Sequence, residues 1–156
     1  MLIETKLEQA IITAITEVTS DSQVRVLGSR QVSAAGNVKG KLEMDDNAII
    51  VVKTGFRSND AYSLTPISIS GTVVITTSLA HDATGNINDY LCERVANLMQ
   101  RWHDTPAVST AALSSTDFSF GEFRLDGGSG KTYDDTPAAW VESFNFTVRG
   151  AVIRQG

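Results

Sequence analysis

A glycine-rich segment comes closer than any other part of the chain to a known binding motif. It reads Gly127-Gly128-Ser129-Gly130-Lys131-Thr132, and a Gly-Lys-Thr run ends the phosphate-binding loop of many nucleotide-binding proteins. That loop also needs a glycine five positions before Gly130, where this chain has Leu125, and a helix after the threonine. Asp134 and Asp135 follow instead, and their charges would repel phosphate. A nucleotide-binding enzyme that uses Gly130-Lys131-Thr132 is therefore kept only as an alternative.

Two pairs of adjacent aspartates offer oxygen ligands of the kind that divalent cations prefer. The pairs are Asp45-Asp46 and Asp134-Asp135. Adjacent aspartates in loops are more often solvated turn residues, so we predict no metal site at either pair.

Histidine and cysteine are scarce, which limits acid–base and nucleophilic chemistry. Only His81 and His103 could act as bases near neutral pH, and neither accompanies a serine or cysteine in a recognised catalytic motif. The single Cys92 permits no internal disulfide and falls on a predicted helix, where a structural role fits best. The sequence predicts no enzyme and no cofactor.

The elements that would position these residues are clearest between residues 66 and 102. Apolar or small residues occupy alternate positions from Ile67 to Ile75, which predicts a half-buried strand. A helix is predicted from Ile87 to Trp102, because its apolar residues share one face at about 100° per residue. Residues 2–19 have the same helical pattern and predict an N-terminal amphipathic helix.

Four residues on these two helices are candidates for an interface with another subunit or a partner. Ile12 lies outside the apolar stripe of the first helix, so we expect it on the outer surface. Tyr90, Arg94 and Arg101 flank the stripe of the second helix. Arginine and aromatic residues are enriched where protein surfaces meet, although long arginine stems also cover the edges of cores.

The region between the two helices contains a short strand at residues 24–27 and a long, small and polar loop at residues 29–47. The run that follows, Ala48-Ile49-Ile50-Val51-Val52, is apolar on both faces and fits a central strand covered on two sides. Because only two helices are predicted, we expect another copy or a partner protein to cover its second face.

Aromatic residues dominate the last third of the chain. Residues 107–116 are small and predict a connector. Phe118 and Phe120 alternate, but the apolar phase slips after Gly121, which predicts a β-bulge there. A strand with a buried aromatic face is predicted at residues 140–153, and residues 126–139 would form a long hairpin loop before it.

The predicted order is a helix, a strand, a long loop, two strands, a second helix and two further strands. It predicts an α+β fold with two helices on one face of a mostly antiparallel sheet. The 156 residues suit one domain over 1–156, with long loops near 29–47 and 126–139. The net charge of −5 gives no electrostatic reason to expect binding to nucleic acid or anionic membranes. No apolar run approaches the length of a membrane span.

This layout resembles the tail terminator, or tail-completion, proteins of long-tailed bacteriophages. The resemblance rests on the first helix from Ile3 to Val18, the strand from Ala48 to Phe56, the strand–helix unit from Ile67 to Trp102 and the closing strand from Trp140 to Ile153. It implies a structural virion protein, not an enzyme. Such a protein assembles in the host cytoplasm and stays in the virion tail as a hexameric homo-oligomeric ring on the head-proximal end of the tail tube.

The resemblance also implies the partners. The ring would contact the tail tube protein, end its polymerisation and present a surface to the head connector or closure protein, while a free subunit can stay monomeric. Another head-tail joining adaptor of the same virion is the alternative. DNA would pass through the ring without sequence-specific binding, and we expect acidic loop residues to face the lumen and repel its phosphates: Asp45, Asp46, Asp134 and Asp135.

Overall fold

The computed structural model describes residues 3–28, 47–57, 67–115, 118–135 and 138–152. Within these ranges the chain forms three helices and five strands. In chain order they are α1 (Ile3–Val18), β1 (Arg25–Gly28), β2 (Ala48–Arg57), β3 (Ile67–Ser78), α2 (Asn86–Asp104), α3 (Pro106–Leu113), β4 (Phe118–Asp135) and β5 (Ala138–Val152). The predicted α+β class is confirmed.

The five strands form one sheet in the order β1-β2-β3-β5-β4. β1 runs parallel to β2, with Arg25 opposite Ile49, and the other neighbouring strands are antiparallel. β5 therefore inserts between β3 and β4, and β4 lies at the edge opposite β1.

The main core lies between the helices and one face of this sheet. The alternation predicted for β3 is confirmed, because Ile67, Ile69, Val73 and Ile75 are all buried against the helices. Gly71 interrupts that row for a steric reason. A Cβ there would lie 2.3 Å from the ring of Phe146, so glycine makes the space that the ring fills.

Aromatic rings fill the core beside β4. Phe123 lies between two of them, 5.2 Å from the Trp102 ring centroid in an edge contact and 5.4 Å from Phe146 in a stacked one. Phe120 pairs with Gly150 and Glu122 with Arg149, which leaves Gly121 unpaired in the predicted β-bulge. The bulge returns Phe123 to the core face, and burying such a ring stabilises the fold by about 3 kcal/mol.

Helix α3 corrects the sequence analysis, which predicted a connector at residues 107–116. It is short and rich in alanine, serine and threonine, so it has no apolar stripe that periodicity could detect. Pro106 stands at its first turn, where proline is tolerated, and Ser109 and Leu113 are buried. Its packing on neighbouring elements supplies the stability that its own pattern does not reveal.

Strand β4 corrects the prediction of a hairpin loop at residues 126–139. Residues 126–135 continue the strand, with Ser129 opposite Ser143 and Asp134 opposite Ala139. Glycines have no side chains to alternate, so the strand pattern is absent from the sequence. Gly128 is required here, because a Cβ at that position would lie 2.0 Å from the carbonyl oxygen of Ser143.

Two expectations about exposed apolar surface are also wrong. On β2, Ile49 and Val51 face away from the described helices, yet they are only 1% and 2% exposed within this single chain, and with Leu27 they form a second apolar cluster. Ile12 belongs to the main core and is 9% exposed. The end of β1 covers it, since a Cβ at Gly28 would lie 3.1 Å from the Ile12 Cδ1.

A buried carboxylate fixes the start of α2. Asp82 is 3% exposed, and its oxygens accept bonds from the backbone N–H groups of Ile87 (3.1 Å) and Asn88 (2.8 Å) and from the Thr77 hydroxyl (2.9 Å). Burial alone raises the pKa of Asp82, but the bonds from Asn88, Ile87 and Thr77 outweigh it and hold the pKa below its ordinary value of 3.8. The carboxylate thus caps the helix and ties it to the end of β3.

We expect Asp82→Ala to lower the free energy of unfolding by about 3 kcal/mol, because it leaves buried N–H groups without acceptors. Since the folded pKa is depressed, this stabilisation is complete above the pKa of an unfolded aspartate, about 3.9, and is lost as pH falls through the lower folded value. Urea unfolding at pH 7 and at pH 3 measures both effects, and the difference between wild type and variant should shrink at pH 3. Glu93→Gln, an exposed change on the same helix, is the control. An undiminished difference at pH 3 would contradict the assignment.

Candidate functional site

A buried polar cluster joins the first turn of α2 to the strands beneath it. Its centre is Asn88, which is fully buried. The Asn88 Nδ2 donates to the carbonyl oxygens of Ile75 (3.3 Å) and Trp140 (3.1 Å). The Asn88 Oδ1 accepts from the Lys131 Nζ (2.5 Å) and the Cys92 thiol (3.3 Å). One side chain therefore connects α2 to β3, β5 and β4 with its polar atoms satisfied.

Lys131 has a structural task in this cluster. Besides its bond to Asn88, its Nζ lies 2.8 Å from the Asp89 carboxylate, and its side chain is only 21% exposed. Gly130-Lys131-Thr132 lies within β4, so neither the loop nor the following helix of a phosphate-binding motif is present there. Here the lysine neutralises the Asp89 carboxylate in the first turn of α2, a role unlike that of a phosphate-binding lysine.

Cys92 is buried on α2, as its predicted structural role requires. Burial raises the pKa of its thiol, and the neighbouring Glu142 carboxylate raises it further. The thiol therefore stays protonated near neutral pH and is a poor nucleophile.

The two histidines lie apart from this cluster. The His103 Nδ1 accepts a bond from the backbone N–H of Leu125 (3.0 Å), which fastens the end of α2 to β4. His81 is exposed in the turn after β3. Across the described ranges, no three histidine, cysteine, aspartate or glutamate side chains are grouped so that they could hold a metal ion.

Two of the three predicted interface residues on α2 belong to a second cluster, which we call the Tyr90 clamp: Asp21, Tyr90 and Arg94. The Tyr90 hydroxyl donates to the Asp21 carboxylate and accepts bonds from the Arg94 Nε (3.1 Å) and Nη2 (2.7 Å). The Arg94 guanidinium also lies 5.0 Å from the Tyr90 ring centroid. The bond from Tyr90 lowers the pKa of Asp21, and the clamp connects the turn after α1 to α2.

Two members of the clamp, Tyr90 and Arg94, were predicted from the sequence, and the third was not. The i, i+4 spacing of Tyr90 and Arg94 signals a helical pair. Asp21 follows α1 like any helix-ending residue, so nothing in its local pattern distinguishes it. Arg101 lies about two helical turns beyond Arg94 and is exposed, and its side chain forms no hydrogen bond or ion pair with another described residue.

A cleft of about 380 Å³ opens beside the clamp. Its apolar residues are Ala48, Ile87 and Leu91. The Tyr90 ring also lines it, and its polar residues are Ser22, Gln23, His81 and Asn86. It lies over the β1–β2 side of the sheet, and an apolar floor with a polar rim suits one large side chain or a small ligand.

The face of the sheet opposite the described helices carries a separate polar groove of about 630 Å³. In it the Thr72 hydroxyl donates to the Asn145 Oδ1 (3.0 Å). Asp126 accepts from the Thr147 hydroxyl (2.5 Å) and the Arg124 Nε (2.6 Å). Burial raises the pKa of Asp126, but those two bonds outweigh it and lower the pKa overall. These internal bonds satisfy most of the polar groups, so the groove shows no preference for a ligand.

Of the four acidic residues expected on loops, the structure describes Asp134 and the backbone of Asp135. Asp134 is exposed, but it lies in β4. Asp135 pairs with Ala138 at the end of β4, and its side chain lies outside the described residues. Asp45 and Asp46 lie wholly outside them.

We expect Lys131→Met to lower the free energy of unfolding by about 2 kcal/mol, because the Asn88 Oδ1 loses its charged donor. Lys53→Met, an exposed change in the polar groove, is the matched control and should have little effect. Thermal unfolding measures both, with and without Mg²⁺-ATP. A wild-type stabilisation by nucleotide that Lys131→Met abolishes would contradict the structural role, since ligand at 100 times its Kd adds about 2.7 kcal/mol.

No helix in the described residues is long and apolar enough to cross a membrane. No protein-family model matches the chain, and no curated protein matches it significantly.

Proposed function

We propose that this protein is a structural virion protein that forms a hexameric ring on the head-proximal end of a phage tail tube. There it ends tube polymerisation and presents the surface to which the head attaches. The observation that carries the proposal is the arrangement of elements. An N-terminal amphipathic helix, a mostly antiparallel sheet, a helix fixed across it and a closing hairpin follow one another as the resemblance to tail terminators implies.

The packing supports a protein that works as a rigid assembly unit. The long ladders between β2, β3, β5 and β4 form one continuous platform. Asp82 and Asn88 fasten α2 to that platform. The Asp82 carboxylate bonds both Thr77 on β3 and the backbone of α2, and the Asn88 side chain bonds carbonyl oxygens of β3 and β5. A helix held in this way presents its outer flank in one orientation, which lowers the entropy cost of binding a partner.

The chemistry of that outer flank supports an interface. Tyr90, Arg94 and Arg101 are exposed along one flank of α2, with Arg101 about two turns beyond Arg94. Tyrosine and arginine are the residue types that most often contribute large shares of binding energy between proteins. The cleft beside Tyr90 adds a concave, partly apolar surface to the same flank.

DNA would pass through the ring without adhering to it. The chain carries 13 basic and 18 acidic residues, a balance that gives little attraction for phosphates. Asp45 and Asp46 stay predicted lumen residues, and the described residues do not include them.

The decisive experiment mixes the purified protein with tubes assembled from a phage tail tube protein and images them by electron microscopy. We expect a ring on one tip of each tube and tubes that no longer elongate. Binding to the portal or closure protein without tube capping would favour the head-tail joining adaptor. Association with none of these components would overturn both proposals.

Two substitutions on α2 separate folding from assembly. Leu91 is fully buried, so Leu91→Asp should unfold the subunit by placing a charge in the core. Arg94→Glu should leave the circular dichroism spectrum unchanged, because the side chain is exposed, and should reduce tube capping by about thirtyfold. Glu93→Gln, on the next exposed position, should cap normally. Capping by Arg94→Glu at the wild-type level would contradict a role for this flank.

A further inference from the structure

Two helices end beside strand β4, and each supplies a side chain that accepts a backbone N–H bond from that strand. Ser114, which follows α3, accepts the N–H of Phe120 at its Oγ (2.8 Å). His103, in the last turn of α2, accepts the N–H of Leu125 at its Nδ1 (3.0 Å). Because β4 lies at the edge of the sheet, these two bonds fasten an edge strand to the helix ends.

The two acceptors differ in their response to pH. A serine hydroxyl accepts a bond without changing its charge, so the bond from Phe120 to Ser114 does not depend on pH. An imidazole accepts a bond at Nδ1 only when that nitrogen carries no proton, which requires a neutral ring with its proton on Nε2. Protonation of His103 would set two N–H donors against each other. The bond from Leu125 therefore exists only while His103 is neutral.

The bond from Leu125 lies at a junction of the fold. Trp102, the neighbour of His103 on α2, contacts Phe123 on β4 at 5.2 Å between ring centroids. The register shift between Leu125 and Gly127 follows directly, and Gly127 has a positive φ of 116°. The ladder with β5 is interrupted at such a shift, so the bond to His103 is a directional contact where the strand has fewer of its own.

The charged side chains around His103 include both signs. On β4 they are Arg124 and Asp126, which pair with each other at 2.6 Å between Nε and Oδ1. Attraction of a positive His103 by Asp126 and its repulsion by Arg124 therefore partly cancel. On α2 itself, Arg101 and Asp104 also carry opposite charges, and α3 contains no titratable side chain. Loss of the bond from β4 is thus the main effect of protonation.

We propose that His103 is a pH-sensitive latch between the end of α2 and the edge strand β4. The neutral imidazole holds the N–H of Leu125, and protonation releases it. Histidine ordinarily titrates between pH 5 and 8, so the latch responds within the physiological range. The bond from Phe120 to Ser114 persists, which confines the release to the part of β4 near Gly127. The latch belongs to the folded subunit and works whether or not that subunit caps tubes.

Nuclear magnetic resonance detects the bond itself, because a scalar coupling between the two nitrogens passes through an N–H···N hydrogen bond. In protein labelled uniformly with nitrogen-15, we expect a coupling between the Leu125 amide nitrogen and the His103 Nδ1 at pH 8 and its loss at pH 5. The ring nitrogen shifts of His103 should report protonation with the same midpoint. A coupling that is absent at pH 8, or that persists after the ring is protonated, would overturn the proposal.

Amide hydrogen exchange measures the consequence for the strand. Relative to an unstructured chain at the same pH, the protection of the Leu125 amide should fall about fivefold from pH 8 to pH 5, as expected for the loss of one hydrogen bond. The Phe120 amide, bonded to Ser114, is the internal control and should keep its protection. Equal losses at both amides would mean that the whole strand loosens, which contradicts a latch at one residue.

The chain has two histidines, which gives a matched pair of variants. His103→Asn places an amide near the position of Nδ1 and cannot titrate, so the protection of Leu125 should become the same at pH 8 and pH 5. His81→Asn, in the turn after β3, should keep the wild-type response. A pH response that survives in His103→Asn, or that disappears in His81→Asn, would remove His103 as its cause and sink the proposal.

Discussion

The buried hydrogen bonds of Asp82 and Asn88 are the constraint on which the rest of the fold depends. Asp82 accepts hydrogen bonds from backbone N–H groups at the start of α2, which would otherwise have no acceptor. It also accepts a bond from Thr77 at the end of β3. Asn88 then joins the same helical turn to the carbonyl oxygens of two strands. These bonds are directional, whereas apolar packing is not, so they set where the helix begins and how it crosses the sheet. The aromatic core around Phe123 can close only when α2 occupies that position.

The glycine-rich half of β4 illustrates how a sheet manages an exposed edge. Register shifts occur around Gly121, between Leu125 and Gly127, and between Ser129 and Thr132. Bulges twist an edge strand and make it a poor template for pairing with other chains. The glycines allow this irregular path, and Lys131 at the last bulge reaches back to Asn88 and Asp89. A segment that looks like a nucleotide motif is thus used to fasten an edge strand to a helix.

This arrangement separates a rigid interior from two features that face outward. Internal bonds use most polar groups at the start of α2 and in the polar groove. The exposed tyrosines Tyr90 and Tyr133 keep free surface, and the clamp orients Tyr90. A subunit with a fixed core and preoriented surface side chains suits repeated assembly, because little conformational freedom is lost when it binds. The resemblance to tail terminators supplies the biological setting for that form as a proposal.

The sequence by itself determined the elements whose side chains alternate or recur. The strand from Ile67, helix α2 and the bulge at Gly121 all follow from apolar periodicity, because a period of two or 3.6 is a property of the local chain. Only tertiary structure decided α3, the glycine strand within β4 and the burial of Ile12. Small residues have no period, and the cover over an apolar side chain comes from residues distant in sequence. For the same reason the sequence did not predict Asp21 as a member of the Tyr90 clamp, because its partner lies 69 positions away and the local pattern around Asp21 does not indicate it.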